Sequence, residues 1–153
     1  MSRVEDRVAE LGLTLPVTSK PVAAYIPAVV TGNLVFTSGQ LPMVDGALPT
    51  SGKVGDNVDA EVAKGLARIC VLNGLAAARS AIGSLDRITR VVKVVGFVAS
   101  TPDFTGQPGV INGASELLGE IFGESGQHAR SAVGVAALPL DAPVEIDFLF
   151  EFA

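Results

Sequence analysis

Only one cysteine and one histidine occur among the 153 residues. Cys70 has no partner for an internal disulfide, and Cys70 with His128 cannot supply the four ligands of a structural zinc site. Disulfide frameworks and metal-held folds are therefore excluded. Tryptophan is absent, Tyr25 is the single tyrosine, and aromatics make up 5% of the chain, so basic and aromatic residues do not interleave as single-strand nucleic-acid binders require. Positive charge is in the minority: 11 basic against 16 acidic residues give a net charge of −5, and the pI is about 4.7. That is the wrong sign for a phosphate-backbone footprint, and nucleic acid is disfavoured as a partner. No apolar run approaches the ~20 residues that span a bilayer, and charges are scattered through the first dozen residues where an export signal has an apolar stretch. The expectation is a soluble cytoplasmic protein with no membrane partner. Glycine-rich dinucleotide and Walker-type loops, H-E-x-x-H and G-x-S-x-G are all missing, and no cofactor is expected.

What the chain has is apolar substance. It is 48% hydrophobic and only 18% charged, with a mean hydropathy of +0.47, far from the profile of disorder. Its length suits one domain over residues 1–153 that buries roughly 70% of its unfolded surface, with residues 1–16 as an N-terminal helical extension. Ser2 and Glu5 match a capping box, and Val4, Val8 and Leu11 share a face, which predicts a short helix over 3–12 stopped at Pro16. Val22–Val30 and Leu34–Ser38 flank the turn signal Thr31-Gly32-Asn33 and predict a hairpin. The segment from Pro42 to Gly55, with three glycines, reads as a long loop bordering a site. Asp56 is placed to cap a helix with the stripe Val58, Val62, Leu66, Ile69 and Leu72, ending at Gly83. Gly65 and Gly74 inside it each cost about 1 kcal/mol and imply close packing there.

Ile88–Val98 is almost continuously apolar and β-branched, the mark of a central strand covered on both faces. A second long helix runs from Pro108 to Gly123, and strands at Arg130–Ala137 and Val144–Phe152 close the chain. The order predicts an α+β domain, a mixed sheet with two long helices on one face and the other face uncovered. In the last strand Val144, Ile146, Phe148, Phe150 and Phe152 alternate with Glu145, Asp147, Leu149 and Glu151. In the strand before it, Arg130, Ala132, Gly134 and Ala136 make a small-residue face that invites another copy of the chain, so a homo-oligomer is expected to bury that side.

Arg130 is the leading candidate for chemistry, because a guanidinium beside small side chains can grip a carboxylate bidentately. Its bland alternative is an exposed strand-end arginine. Glu145, opposite the phenylalanine face, can orient or activate water, or can simply be a solvated sheet carboxylate. Thr37-Ser38-Gly39-Gln40 puts a hydroxyl and a glycine at a strand end, where amides can meet an oxyanion or merely end the strand. Tyr25, placed in the first strand, is a core or edge residue or a ligand contact. Asn112, placed in the first turn of the second long helix, caps or binds. Cys70 reads as a buried, inert thiol. His128, with no second histidine or nearby cysteine, is a surface or packing residue before it is a base.

The run Ala129-Arg130-Ser131-Ala132-Val133-Gly134-Val135-Ala136-Ala137-Leu138-Pro139, followed by Pro143-Val144-Glu145-Ile146, resembles the signature of the RidA (reactive intermediate deaminase A) family. That family is also labelled liver perchloric-acid-soluble protein or endoribonuclease-like. Ala24-Tyr25, Val35 to Pro42, Gly55-Asp56, Val92 to Val98, Asp103-Phe104 and Ile111-Asn112-Gly113 agree in order. The resemblance implies a chorismate-mutase-like fold, a homotrimer with sites between subunits, and cofactor-free hydrolysis of enamines and imines such as 2-aminoacrylate to keto acid and ammonia. It makes Arg130 the binder of the substrate carboxylate, Glu145 the handler of water, and Tyr25, Ser38, Gly39 and Asn112 pocket residues. Ala132 stands where many members have cysteine, His128 where many have proline, and Ile26-Pro27 where polar residues are common, which marks a divergent subgroup. A competing reading is a non-catalytic protein that binds small carboxylates on the same trimeric scaffold. The ribonuclease label of some relatives is disfavoured by charge.

Strand arithmetic adds one expectation. If the last two strands are antiparallel neighbours, Arg130 lies opposite about Glu151 and Glu145 opposite about Ala136, roughly 20 Å apart along the ladder at ~3.3 Å per residue. A site using both then draws them from different subunits, or the two strands are not neighbours.

Overall fold

The computed structural model describes residues 3–18 and 24–153. Its elements run α1 (Arg3–Glu10), β1 (Ala28–Thr31), β2 (Leu34–Thr37), α2 (Ala60–Ile82), β3 (Ile88–Ala99), α3 (Gln107–Phe122), β4 (Ala129–Val135) and β5 (Val144–Phe152), with short 3-10 turns at Leu85–Arg87, Gly123–Gly126 and Pro139–Asp141. The five strands make one mixed sheet in the order β1-β2-β5-β3-β4, in which β3 and β4 are parallel and the other pairs antiparallel. The α+β class and the two long helices on one sheet face are as the sequence pattern predicts.

The core lies between that face and α2 and α3. Val144, Ile146, Phe148 and Phe150 are buried, while Glu145, Asp147, Leu149 and Glu151 between them are only partly covered. Phe148 and Phe150 stack with centroids 5.9 Å apart. On β3, Val91 and Val94 are both buried although they are three positions apart and would face opposite sides of a regular strand, because a register shift between Val91 and Lys93 re-phases the strand. This explains the nearly continuous apolar run. Within one chain the helices cover one side of β3, and Val95 and Phe97 on the other are partly exposed.

The last two strands are not neighbours. β3 lies between them, its two edges taken by β4 and β5. The connection therefore bridges the end of β3, where Ser100 N–H donates to the Val135 carbonyl (3.2 Å) and Ala99 N–H to that of Pro143 (2.9 Å). The small-residue face of β4 lies on the helix side of the sheet. Arg130, Ala132 and Gly134 pair with Val94, Gly96 and Val98 and face the chain's own α3. A Cβ on Gly134 would meet the Gln107 side chain at 2.7 Å, so the close approach is internal. The open side of the sheet instead carries Val133, 44% exposed, and Phe36, 43% exposed.

Local departures have local causes. α1 stops at Gly12 (φ 76°), four residues before Pro16, in a Schellman arrangement with Leu13 N–H on the Val8 carbonyl and Gly12 N–H on that of Ala9. Ser2, the expected cap, lies outside the described residues. The first amides of α1 are instead taken by the Asp86 carboxylate, from Arg3 N–H at 2.9 Å and Val4 N–H at 3.0 Å. The cap of α2 is Asp59, not Asp56, so Val58 precedes the helix. At its far end Gly83 (φ 84°) stops it as expected. Gly74 meets the Phe148 ring, whereas Gly65 faces open space. By length and composition α2 is apolar enough to cross a membrane, but Leu66, Ala67, Cys70, Val71 and Leu75 are buried in the core.

Candidate functional site

At the β1–β2 end, β2 runs out at Thr37, whose hydroxyl accepts the Phe148 N–H at 3.0 Å. The chain then crosses the start of β5: Gln40 N–H donates to the Ile146 carbonyl (2.8 Å), and Ile146 N–H donates back (3.0 Å). This two-way bond lays Gly39 against Glu145. A Cβ at Gly39 would lie 2.7 Å from Glu145 Oε2, so only glycine leaves the carboxylate where it is. Half-buried Glu145 has its pKa raised, first by desolvation and then by Asp147 on the same strand face, so it is a stronger base than an exposed glutamate. Asp147 is also raised by burial, with Lys93 opposing.

Ser38 and Gly39 also line a cleft of about 220 Å³ with Tyr25, Leu41, Asn73 and Ala77. Tyr25 precedes β1 instead of lying in it and is 57% exposed. Of the amides considered for an oxyanion, those of Ser38 and Gln40 are spent on the Pro27 and Ile146 carbonyls. The Ser38 hydroxyl is spent as well, donating to the Ile26 carbonyl at 2.6 Å.

A second group stands on the far edge, between β4 and α3. The Arg130 guanidinium donates through one terminal nitrogen to Ser115 Oγ (3.1 Å) and through the other to the Pro108 carbonyl (3.2 Å). Two of its five N–H groups are thereby fixed, and the fork keeps donors for a ligand. Asn112, Ser115, Gly119, His128 and Arg130 line an open cleft of about 380 Å³. Asn112 lies in the second turn of α3, which starts at Gln107, so it is not the cap; that position is Gly106. Ser115 is the residue that sequence reading missed. Its signal was the stripe Asn112, Ser115, Gly119, spaced to share one helix face.

The structure thus divides the expected site residues. Tyr25, Ser38, Gly39 and Glu145 gather at one end of the sheet, Asn112 and Arg130 at the other. Arg130 pairs with Val94 and Glu145 with Phe97, three residues further along β3. Their Cα atoms are thus about 14 Å apart at ~3.3 Å rise and ~4.8 Å strand spacing, not 20 Å. More decisively, Arg130 points to the helix face and Glu145 to the open one. Within one chain no small ligand touches both. Cys70 is fully buried, and burial pushes its thiol pKa well up, which makes it inert. Among the described residues no cluster of three or more His, Cys, Asp or Glu is arranged to hold a metal ion.

Comparison with known proteins gives the following. The family profile described as "YjgF/chorismate mutase-like, putative endoribonuclease" matches residues 5–152. The chain is 43% identical over 150 residues to "Protein TCP17" of Trypanosoma cruzi, covering 97% of this chain and 94% of that one. It is 32% identical over 128 residues to a 2-iminobutanoate/2-iminopropanoate deaminase of Salmonella typhimurium, covering 82% and 85%. Among solved structures, protein Atu1372 of Agrobacterium tumefaciens, titled as of unknown function, superposes with a TM-score of 0.92 at 48% identity, covering 99% and 93%.

Proposed function

The chain belongs to the YjgF/chorismate-mutase-like family, and on that premise we propose that it hydrolyses small enamine and imine carboxylates of the 2-aminoacrylate type to 2-keto acids and ammonia. What carries the reading is the division of the site. Each chain presents a water-handling half around Glu145 and Gly39 and a carboxylate-gripping half around Arg130 and Asn112, on opposite sheet faces where they cannot serve one ligand. Two such halves complete each other when copies associate, and the reaction belongs in clefts between the subunits of a homotrimer. A deaminase among the relatives supports the same chemistry.

The enamine tautomerises spontaneously to an imine, so the protein has little covalent work to do. Arg130 holds the carboxylate through its free N–H groups. Glu145 accepts a proton from water as the oxygen adds to the imine carbon, and the proton passes to nitrogen. The hydroxyl of the resulting carbinolamine then gives its proton, by way of Glu145, to the amine nitrogen as the C–N bond breaks, leaving the keto acid and ammonia. Burial raises the basicity of Glu145 in the direction this step needs.

The test generates 2-aminoacrylate in situ and follows pyruvate and ammonia with and without the protein. Arg130→Ala is expected to abolish pyruvate binding and turnover with the fold intact, and Arg130→Lys to fail as well. Full activity in Arg130→Lys would refute bidentate recognition. Arg130-dependent pyruvate binding with an unchanged imine lifetime would assign the protein to carboxylate binding without turnover.

A further inference from the structure

His128, the only histidine in the chain, stands in a hydrogen-bonded line that ends on Arg130. Its Nδ1 lies 2.7 Å from the Gly126 carbonyl, and its Nε2 lies 2.9 Å from Ser115 Oγ. Ser115 Oγ in turn accepts from Arg130 at 3.1 Å. Gly126 is buried and pressed on α3 so closely that a Cβ would lie 2.4 Å from the Leu118 carbonyl, which anchors the near end of the line in the backbone.

We propose that Ser115 contacts the substrate carboxylate and that His128 is its positioning residue, deciding whether that hydroxyl meets the carboxylate as acceptor or as donor. The proposal rests on the reading that Arg130 grips the carboxylate. A carbonyl can only accept, so Nδ1 carries the proton of the neutral ring and Nε2 is bare. The Ser115 hydroxyl therefore donates to Nε2 while its oxygen accepts from Arg130. Its single proton is spent, and it turns a lone pair toward an arriving carboxylate. When the ring takes up a second proton, Nε2–H donates to Ser115 Oγ, whose two lone pairs then hold His128 and Arg130. The hydroxyl proton is released into the cleft beside Asn112, and a second positive charge stands behind it. Ring protonation and carboxylate binding thus favour each other, as linkage requires.

The charged groups on the surrounding elements are Arg130 on β4, Glu116 and Glu120 on α3, Glu124 in the preceding turn and Lys93 on β3 beside Ala129. Glu116 is paired with Lys64 at 3.2 Å and Glu120 with Arg68 at 3.5 Å. None of these is an imidazole.

A lone histidine gives one set of imidazole signals in a labelled protein, so nitrogen-detected NMR reads its tautomer directly. The Nδ1–H form is expected in the neutral ring, and the Nε2–H form would overturn the proposal. Calorimetric titration with pyruvate is expected to show about tenfold tighter binding near pH 5.5 than near pH 8, the worth of one charge-assisted hydrogen bond. His128→Gln and Ser115→Ala should flatten that dependence to within about twofold while binding still requires Arg130. A pH-independent affinity in the unmodified protein, or a dependence that survives in both variants, would refute the coupling and leave the carboxylate site standing. Pyruvate binding unaffected by Arg130→Ala would instead remove the site reading and the coupling with it.

Discussion

Gly39→Ala tests whether the Glu145 carboxylate must stand where it does. The added methyl would lie 2.7 Å from Oε2, 3.0 Å from Cδ and 3.3 Å from Cγ of Glu145, against the 3.4 Å at which ordinary contact begins. The carboxylate must retreat by about 0.7 Å, and because Cδ and Cγ are also crowded it moves as a unit. The obstacle is the end of one flexible side chain, and the backbone at Gly39 is not among those at positive φ, so melting should shift by less than the equivalent of about 1 kcal/mol. Turnover should suffer far more. Displacing a catalytic group by the better part of an ångström costs up to ~100-fold in rate, and a base hydrogen-bonded to water tolerates little error. The assay compares pyruvate release from 2-aminoacrylate with the thermal midpoint of the same sample. A variant that melts normally and retains activity within about twofold would show that Glu145 does not act from this position.

Gly74→Ala drives a methyl to 2.4 Å from the Phe148 ring, which is buried and stacked on Phe150 and so cannot yield; chemical denaturation should show a loss of about 1–3 kcal/mol despite the helix preference of alanine. The matched change Gly65→Ala, with nothing within 4 Å, should instead gain up to about 1 kcal/mol, and equal effects at the two sites would refute this packing account. Glu145 has a folded pKa above its unfolded one. The native state therefore holds the proton longer, and stability falls as pH rises from the ordinary carboxylate range past the raised value. Glu145→Gln should then be more stable at neutral pH by at most ~1 kcal/mol, with the gain vanishing in acid; a loss at neutral pH would contradict the sign. Arg130→Ala and Glu145→Ala chains, each inactive alone, should recover about a quarter of full activity when refolded together one to one, the random fraction of clefts with both groups intact. No recovery, with mixed oligomers demonstrated by mass spectrometry, would place both groups' action within one chain.

Much of the architecture was legible because it is periodic. The alternation of Val144, Ile146, Phe148 and Phe150 with Glu145, Asp147 and Leu149 fixes which side of β5 is buried, and Gly83 marks the helix end it forms. Strand order was not legible, because any short connection reads like a hairpin until the competing edge is known. Here the competitor is β3, which offers hydrogen bonds on both sides. The cap of α1 was hidden for a similar reason: Asp86 is 83 residues from Arg3 and belongs to another turn. Arg130 and Glu145 stood out by resemblance and chemistry. Ser115 did not, since the helix face it shares with Asn112 and Gly119 points to no chemistry until Arg130 on β4 and His128 just before that strand are brought to it.

β5 is the last of the five strands in chain order, yet it lies in the middle of the sheet, between β2 and β3. During synthesis the hairpin β1–β2 and the β3-α3-β4 unit can each form early, but they share no strand-to-strand bond until β5 is made. Until then β2 and β3 both expose bare inner edges, templates for pairing with any other extended chain. The two half-sheets thus join only once β5 has been made. The nascent protein's exposure to chaperones and to aggregation is set by the arrival of Val144–Phe152, not by the formation of its helices.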